Sequence, residues 1–283
     1  MIPQRNLSLL SNRLARKGTR RIPETVLERD YCLSWFLVGL SGTVLRDTLA
    51  FKGGTAIKKC FIPDYRFSED LDFTIRHNVS FKHIQEGFGQ AFAYAQQASG
   101  IRLTISRIDP HSHKNSHSFF MGYEGPLPGA TGKEVKVNIT IREQLVFPIE
   151  ERPVLKTYEE YTDLPDDAVI GVYTLQEIAA EKIVAIFDPA RNEPRDLYDL
   201  WHLVSHDFIN PGELIDAVGQ KMRFRGRELA NSRDIFIRKE ARLKKLWKTR
   251  LLSQMVELPE FDQVHPYVSR VLRQAGFLGE EEE

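Results

Sequence analysis

Apolar and polar positions recur with two different periods along this chain, and the change from one to the other divides it. Between residues 24 and 40, Val26, Leu27, Tyr31, Leu33, Trp35, Phe36, Leu37 and Leu40 keep an apolar stripe at helical spacing, which predicts a long helix. Leu49 to Phe51 runs into Gly53-Gly54, and a short helix is expected to open near Thr55. Leu71, Phe73 and Ile75 then alternate with Asp70, Asp72 and Thr74, the period of a strand. Residues 81–98 read as a helix, and 101–108, 118–123 and 135–141 as strands, the first two flanking a polar loop. From about residue 170 only helical patterns remain. Thr174 and Glu177 form a capping box ahead of an apolar stripe through Ile186. Pro194 suits the first turn of a helix reaching Ser205. Further helical patterns fall around 211–222, 227–256 and 265–275.

The expected fold is therefore α+β: a mixed sheet with helices, followed by an all-helical C-terminal domain. The segment 150–167, rich in acids and prolines, is the expected connection. The expected divisions are a basic N-terminal arm over 1–23, a core over 24–165, a helical domain over 166–278 and a disordered acidic tail over 279–283. A chain of 283 residues, 42% hydrophobic, carries enough apolar material for a real core. No apolar stretch reaches membrane-span length, and Arg5, Arg13, Arg16 and Lys17 interrupt any leader-like pattern. Cys32 and Cys60 are the only thiols, which fits a reduced, cytoplasmic protein.

The 39 basic and 39 acidic residues cancel, but they are segregated. Residues 1–21 hold six Arg or Lys and no acid; residues 221–250 hold twelve against Glu228, Asp234 and Glu240. Such segments are either an electrostatic footprint for nucleic acid or solvated helix faces.

Chemistry concentrates in Gly53-Gly54-Thr55 and in Arg66-Phe67-Ser68-Glu69-Asp70-Leu71-Asp72-Phe73. On a strand, residues two apart share a face, so Asp70 and Asp72 point the same way. Two like charges repel unless a positive group lies between them. Magnesium takes a few hard oxygen ligands together with substrate phosphates. Two such ions roughly 4 Å apart can activate an attacking hydroxyl and stabilise a leaving pyrophosphate. The glycines let the backbone approach triphosphate oxygens at a helix start. A lone pair of aspartates on a strand is more often a solvated edge; the glycines ahead of it make the combination specific.

In the helical half, Leu175, Ile178, Ala179, Lys182, Ala185 and Ile186 share one helix face. Lys182 in that stripe serves either as a point charge on a triphosphate or as the structural partner of Asp196 or Asp199. Asp196 equally suits helix capping, and Arg195 either touches phosphate or sits on the surface. Among Lys52, Lys58 and Lys59, one is expected at phosphate and the others in solvent. Ser68 contacts phosphate or bonds nearby backbone. His111, His113 and His117 read as a surface loop rather than a zinc site.

The run Phe51 to Ala56 followed by Arg66 to Phe73 resembles the first motif of the AbiEii/AbiGii nucleotidyltransferase toxin family, which includes MenT-type toxins and belongs to the polymerase-β-like superfamily. The resemblance extends to Glu28-Arg29-Asp30-Tyr31, Glu181-Lys182-Ile183-Val184-Ala185 and Arg195-Asp196-Leu197-Tyr198-Asp199-Leu200. It implies a nucleotidyltransferase core and a helical C-terminal part, with the chemistry in the cleft between them. It also implies transfer of a nucleoside monophosphate from a nucleoside triphosphate to RNA, at the tRNA 3′ end, with magnesium or manganese. Asp70 and Asp72 would hold metal; Lys182 and Asp196 would be catalytic; Lys52, Gly53, Gly54, Thr55, Arg66 and Ser68 would meet the nucleotide, with Asp199 and Arg195 as further members. A cognate antitoxin or transcriptional regulator and a part in phage defence are implied as well. One departure stands out. The strand expected to carry a third carboxylate holds Asn138, whose amide can ligate a metal but cannot be a strong base. Transfer to a protein or small-molecule hydroxyl, or a catalytically weak binding module, are the competing readings.

Overall fold

The computed structural model describes residues 1–109, 115–129, 132–230 and 234–278. The expected histidine loop, with His111 and His113, and the acidic tail 279–283 lie outside the described residues. The chain divides into two units. The first comprises residues 1–143, 149–173 and 254–256; the second comprises 144–148, 174–253 and 257–283.

The first unit is built on a seven-stranded mixed sheet in the order β3-β4-β5-β2-β1-β7-β6. Its strands are β1 (Leu49–Lys52), β2 (Leu71–Ile75), β3 (Arg102–Ile108), β4 (Ser116–Glu124), β5 (Glu134–Thr140), β6 (Ile149–Pro153) and β7 (Val169–Tyr173). β1 runs parallel to β7 and β2 parallel to β5, whereas the other neighbours are antiparallel. Its helices are α1 (Gln4–Lys17), α2 (Glu24–Ser41), α3 (Leu45–Thr48), α4 (Gly53–Ala56) and α5 (Phe81–Ser99).

Alternation sends Leu71, Phe73, Val137, Ile139 and Phe119 to one face of the sheet, where they are buried. There Phe73 packs on Phe51 at 5.1 Å between ring centroids, and Phe88 of α5 on Phe119 at 5.3 Å and on Phe36 of α2 at 5.4 Å. Truncating one such ring costs about 3–5 kcal/mol. α2 and α5 approach closely because residue 39 is glycine: a Cβ there would lie 2.3 Å from the carbonyl oxygen of Ala91. Ser80 caps α5 by accepting from the His83 amide, and Gly100, at φ 80°, ends it.

Three expectations need correction. The N-terminal segment is no free arm: α1 buries Leu7, Leu10, Ser11 and Leu14, and Arg13 forms two bonds to the Glu160 carboxylate. The expected connection carries β6, an edge strand, and the sheet continues into β7, so the division falls after Tyr173 rather than near 165. Glu150, Glu151 and Arg152 hide the alternation of β6, and Pro153 is tolerated at its end because the strand lies at the edge. Lys58 and Lys59 are both fully buried. Lys58 Nζ donates to the carbonyls of Pro63 and Tyr65 and to the Tyr158 hydroxyl, each at 3.0 Å, and burial lowers its pKa to about 8. Lys59 pairs with Asp30 at 2.8 Å and donates to Ser34 at 2.8 Å.

The second unit is helical: α6 (Leu175–Ile186), α7 (Pro194–Ser205), α8 (Ile215–Phe224), α9 (Ile235–Arg238), α10 (Glu240–Leu251) and α11 (Phe261–Gln274). Thr174 caps α6 by accepting from the Glu177 amide at 3.1 Å. The Glu177 carboxylate does not complete a reciprocal box. It accepts from the amides of Val146 and Phe147 and pairs with buried Lys221 at 2.6 Å, which ties segment 144–148 to this unit. Lys239 closes the other end of α6, donating to the carbonyls of Ile186 at 2.6 Å and Asp188 at 3.0 Å. Within the basic run 221–250, Lys221 pairs with Glu177, Arg227 with Asp188, Lys244 with Asp262 and Lys248 with Glu260, acids remote in sequence. No described helix is long and apolar enough to cross a membrane.

Candidate active site

The face of the sheet opposite the aromatic core carries the first group of site residues. β2 begins at Leu71, so Asp70 lies just ahead of the strand and Asp72 within it. Leu71 between them is fully buried, and both aspartates are part-exposed. Asp72 stands opposite Lys52 in the β1 register and opposite Asn138 in the β5 register. The Asn138 amide donates to Asp72 Oδ1 at 3.0 Å, and the Ser118 hydroxyl donates to Asn138 Oδ1 at 3.0 Å. The residue at the third-carboxylate position thus touches Asp72, but as an oriented donor with its oxygen engaged by Ser118.

Gly53 closes the other side. Its φ of 79° lies in the left-handed region, and a Cβ there would come within 2.9 Å of Asp72 Oδ2. Only glycine meets both demands, so α4 starts directly beside the carboxylate. The amides of its first turn have no partners within the helix and favour anionic ligands. The Thr55 hydroxyl donates to the Asp70 carbonyl at 2.5 Å, fixing the backbone ahead of the strand. Lys52 is buried, its Nζ 5.4 Å from the centroid of the Tyr173 ring. Arg66 is drawn inward, donating through Nη1 to Gln254 at 2.8 Å and to the carbonyl of Phe67. Ser68 is half-buried.

The segment Glu28 to Tyr31 is bonded to several other parts of the same unit. Glu28 accepts from the Leu127 amide and pairs with Lys133 at 2.8 Å. Arg29 pairs with Glu69 at 3.2 Å, next to Asp70. Asp30 holds Lys59, and Tyr31 donates to Asp163 at 2.7 Å.

The second group lies in the helical unit. Lys182 pairs with Asp196 at 2.8 Å and with Asp199 at 2.6 Å, and Arg191 pairs with Asp196 at 2.5 Å. All but Arg191 are buried. Burial pushes the Asp196 carboxyl up, but Lys182 and Arg191 outweigh it and hold the pKa at about 2. Asp196 is therefore an ion-pair partner rather than a helix cap. Arg195 pairs with Glu193 at 3.2 Å. Sequence reasoning had no signal for Arg191, whose role depends on the turn ahead of α7.

As for a metal, Asp70 and Asp72 supply the hard oxygens that magnesium takes alongside substrate phosphates. No cluster of three or more His, Cys, Asp or Glu suited to a metal occurs among the described residues. The donor set fits an ion held jointly by protein and triphosphate, not one caged by protein alone.

A mixed sheet presenting aspartates beside a Gly-Gly helix start, followed by a helical unit, defines a nucleotidyltransferase. A family model described as the nucleotidyl transferase AbiEii toxin of type IV toxin–antitoxin systems matches residues 35–272. The chain belongs to the AbiEii family. It is an enzyme that uses a nucleoside triphosphate and a divalent metal, and its family pairs such a toxin with an antitoxin. The solved structure of MenT4, a nucleotidyltransferase toxin from Mycobacterium tuberculosis H37Rv, matches with a TM-score of 0.66 at 18% identity, over 96% of this chain and 90% of that one. That likeness is one of fold. No curated protein matches the sequence significantly.

Proposed function

We propose that this enzyme transfers a nucleoside monophosphate to an RNA 3′ hydroxyl, at the end of a tRNA, with magnesium as the metal. The observation that carries this reading is Asp72, set between the Asn138 amide and Gly53, whose missing Cβ leaves room for its carboxylate. Magnesium held by Asp70, Asp72 and the phosphates would neutralise charge developing on the leaving pyrophosphate. Gly53, Gly54 and Thr55 offer backbone amides to phosphate oxygens, with Lys52 just before them and Ser68 in the segment leading into β2. Lys182, Asp196 and Asp199 form the contribution of the helical unit, with Lys182 as a compact phosphate charge. Exposed Arg16, Lys17 and Arg20 in the sheet unit, and Arg242, Lys245 and Arg250 in the helical unit, supply phosphate contacts to RNA. Such binding weakens as salt rises.

The test is incubation of the protein with each labelled triphosphate, magnesium, total RNA and a protein extract. Label on RNA is expected. Label on protein, or on nothing, would overturn the acceptor. Expression in a bacterial host should also slow growth, and Asp70→Ala should abolish that effect.

A further inference from the structure

We infer that Arg107, stacked on Phe120, is a platform for a nucleobase of the substrates that meet at Asp72; this rests on the transfer reaction proposed above. The face that carries Asp72 continues across the sheet. Asp72 pairs with Asn138, Asn138 with Ser118, and the next row on the same face is Lys136, Phe120 and Arg107. Three strand spacings place Arg107 roughly 15 Å from Asp72, a distance that a few unpaired nucleotides span.

The geometry of Arg107 is built rather than incidental. In an unbroken ladder Ser106 would stand opposite Phe120. A β-bulge between Ile105 and Arg107 shifts the register, so that Arg107 takes that place instead. Bulges at sheet edges re-aim side chains in this way. The Ser106 hydroxyl pins the bulge by donating to the Phe120 carbonyl at 3.0 Å. The guanidinium carbon then lies 3.3 Å from the Phe120 ring centroid, and Nε donates to Glu134 at 3.1 Å. Phe120 covers one flat side and Glu134 occupies an edge. The side chain is nevertheless 53% exposed, so it can be reached from solvent. Lys136, 5.9 Å from the same ring centroid and paired with Asp109 at 3.1 Å, lies alongside. A groove of about 900 Å³, lined by Thr104, Ser106, Gly122 and Glu134 among others, opens next to the platform.

Guanidinium planes stack on unpaired bases, and a plane already fixed by its neighbours loses little freedom on binding. An arginine wanted only for its charge needs neither the ring beneath it nor the bulge.

The experiment measures binding, without turnover, of a fluorescent single-stranded RNA dodecamer and, separately, of each nucleoside triphosphate with magnesium. Wild type is compared with Arg107→Ala, Arg107→Lys and Phe120→Leu, with thermal midpoints recorded alongside. We expect Arg107→Ala and Arg107→Lys both to weaken one ligand by about tenfold, the size of one lost base stack. Phe120→Leu should weaken the same ligand. The affected arm identifies the source of the base: the acceptor strand if the dodecamer weakens, the triphosphate if the nucleotide does. Arg107→Lys binding both ligands as wild type would overturn the platform, because charge alone would then suffice. So would wild-type affinity in all three variants. If wild type labels no RNA while Arg107→Lys still weakens a ligand, the acceptor reading fails and the platform stands. If RNA is labelled and the variants bind normally, the platform alone fails.

Discussion

Two pairs of aspartates, Asp70 with Asp72 on the sheet and Asp196 with Asp199 on α7, meet their charge in different ways. Asp72 is half-buried, forms no ion pair among the described residues, and is held by the neutral Asn138 amide. Asp199 is fully buried and bonded to the Lys182 ammonium, which also serves Asp196. On the function proposed above, the first carboxylate keeps its charge for a cation that arrives with substrate. The second is already neutralised, and its removal would leave the buried ammonium with Asp196 as its remaining carboxylate partner. On that proposed function, the same side chain captures a ligand in one unit and holds the Lys182 ammonium in the other.

The largest effect is expected at Asp70 and Asp72. Asp72→Ala, or Asp70→Ala, should lower transfer by about 10³-fold, equivalent to about 4 kcal/mol of transition-state stabilisation. Turnover at the wild-type rate in purified protein with magnesium would remove both residues from the site. Stability should respond in the opposite order. Asp199→Ala should cost about 3–5 kcal/mol in denaturant unfolding, whereas Asp72→Ala should cost only about 1 kcal/mol for the lost amide bond. Equal losses would erase the distinction. Lys182→Arg sharpens the point for the helical unit: assayed where it remains folded, it should restore little of the activity lost in Lys182→Ala if the compact ammonium meets phosphate.

A smaller effect follows from acid. The folded pKa of Asp196, about 2, lies below its ordinary value of 3.8. Its contribution is present in full above about pH 4 and is lost as pH falls through 2, by about 2 kcal/mol in all. Unfolding midpoints of wild type and Asp196→Asn should therefore converge over that window; a constant difference down to pH 2 would count against the ion pair. The smallest expected change is Asn138→Asp. It should preserve or raise transfer, lower the thermal midpoint slightly without metal through repulsion from Asp72, and gain more from added magnesium than wild type does. An inactive Asn138→Asp protein indifferent to magnesium would show that the amide donor itself is required.

The alternating strands were legible because one face of the sheet is solidly apolar: Leu71, Phe73, Val137 and Ile139 announce themselves. The stripe of α6 likewise exposed Lys182 as a residue needing a partner, and both partners it was expected to choose between are present. What stayed hidden depended on distant neighbours. Nothing local distinguishes Lys58 and Lys59 from surface lysines, since their acceptors are Tyr158, Asp30 and carbonyls of a later turn. β6 is an edge strand whose charges mask its period, and α1 reads as a basic arm until Leu7, Leu10 and Leu14 find a surface to cover. Of the candidate site, the glycines, Asp72 and Asn138 were readable as neighbours; the bonds that turn the Asn138 amide toward Asp72 were not.

Residues 254–256 belong to the sheet unit although the chain has by then built most of the helical one. Gln254 accepts from Arg66, and its carbonyl accepts from the Phe67 amide at 2.7 Å, just ahead of Asp70. On a ribosome, Arg66 and Phe67 emerge roughly 10–40 s before Gln254 at ordinary elongation rates. Throughout that interval the nascent chain carries Asp70 and Asp72 but lacks the contact that anchors the loop leading into them. The order of synthesis itself therefore makes this brace of the loop wait until residue 254 has been made.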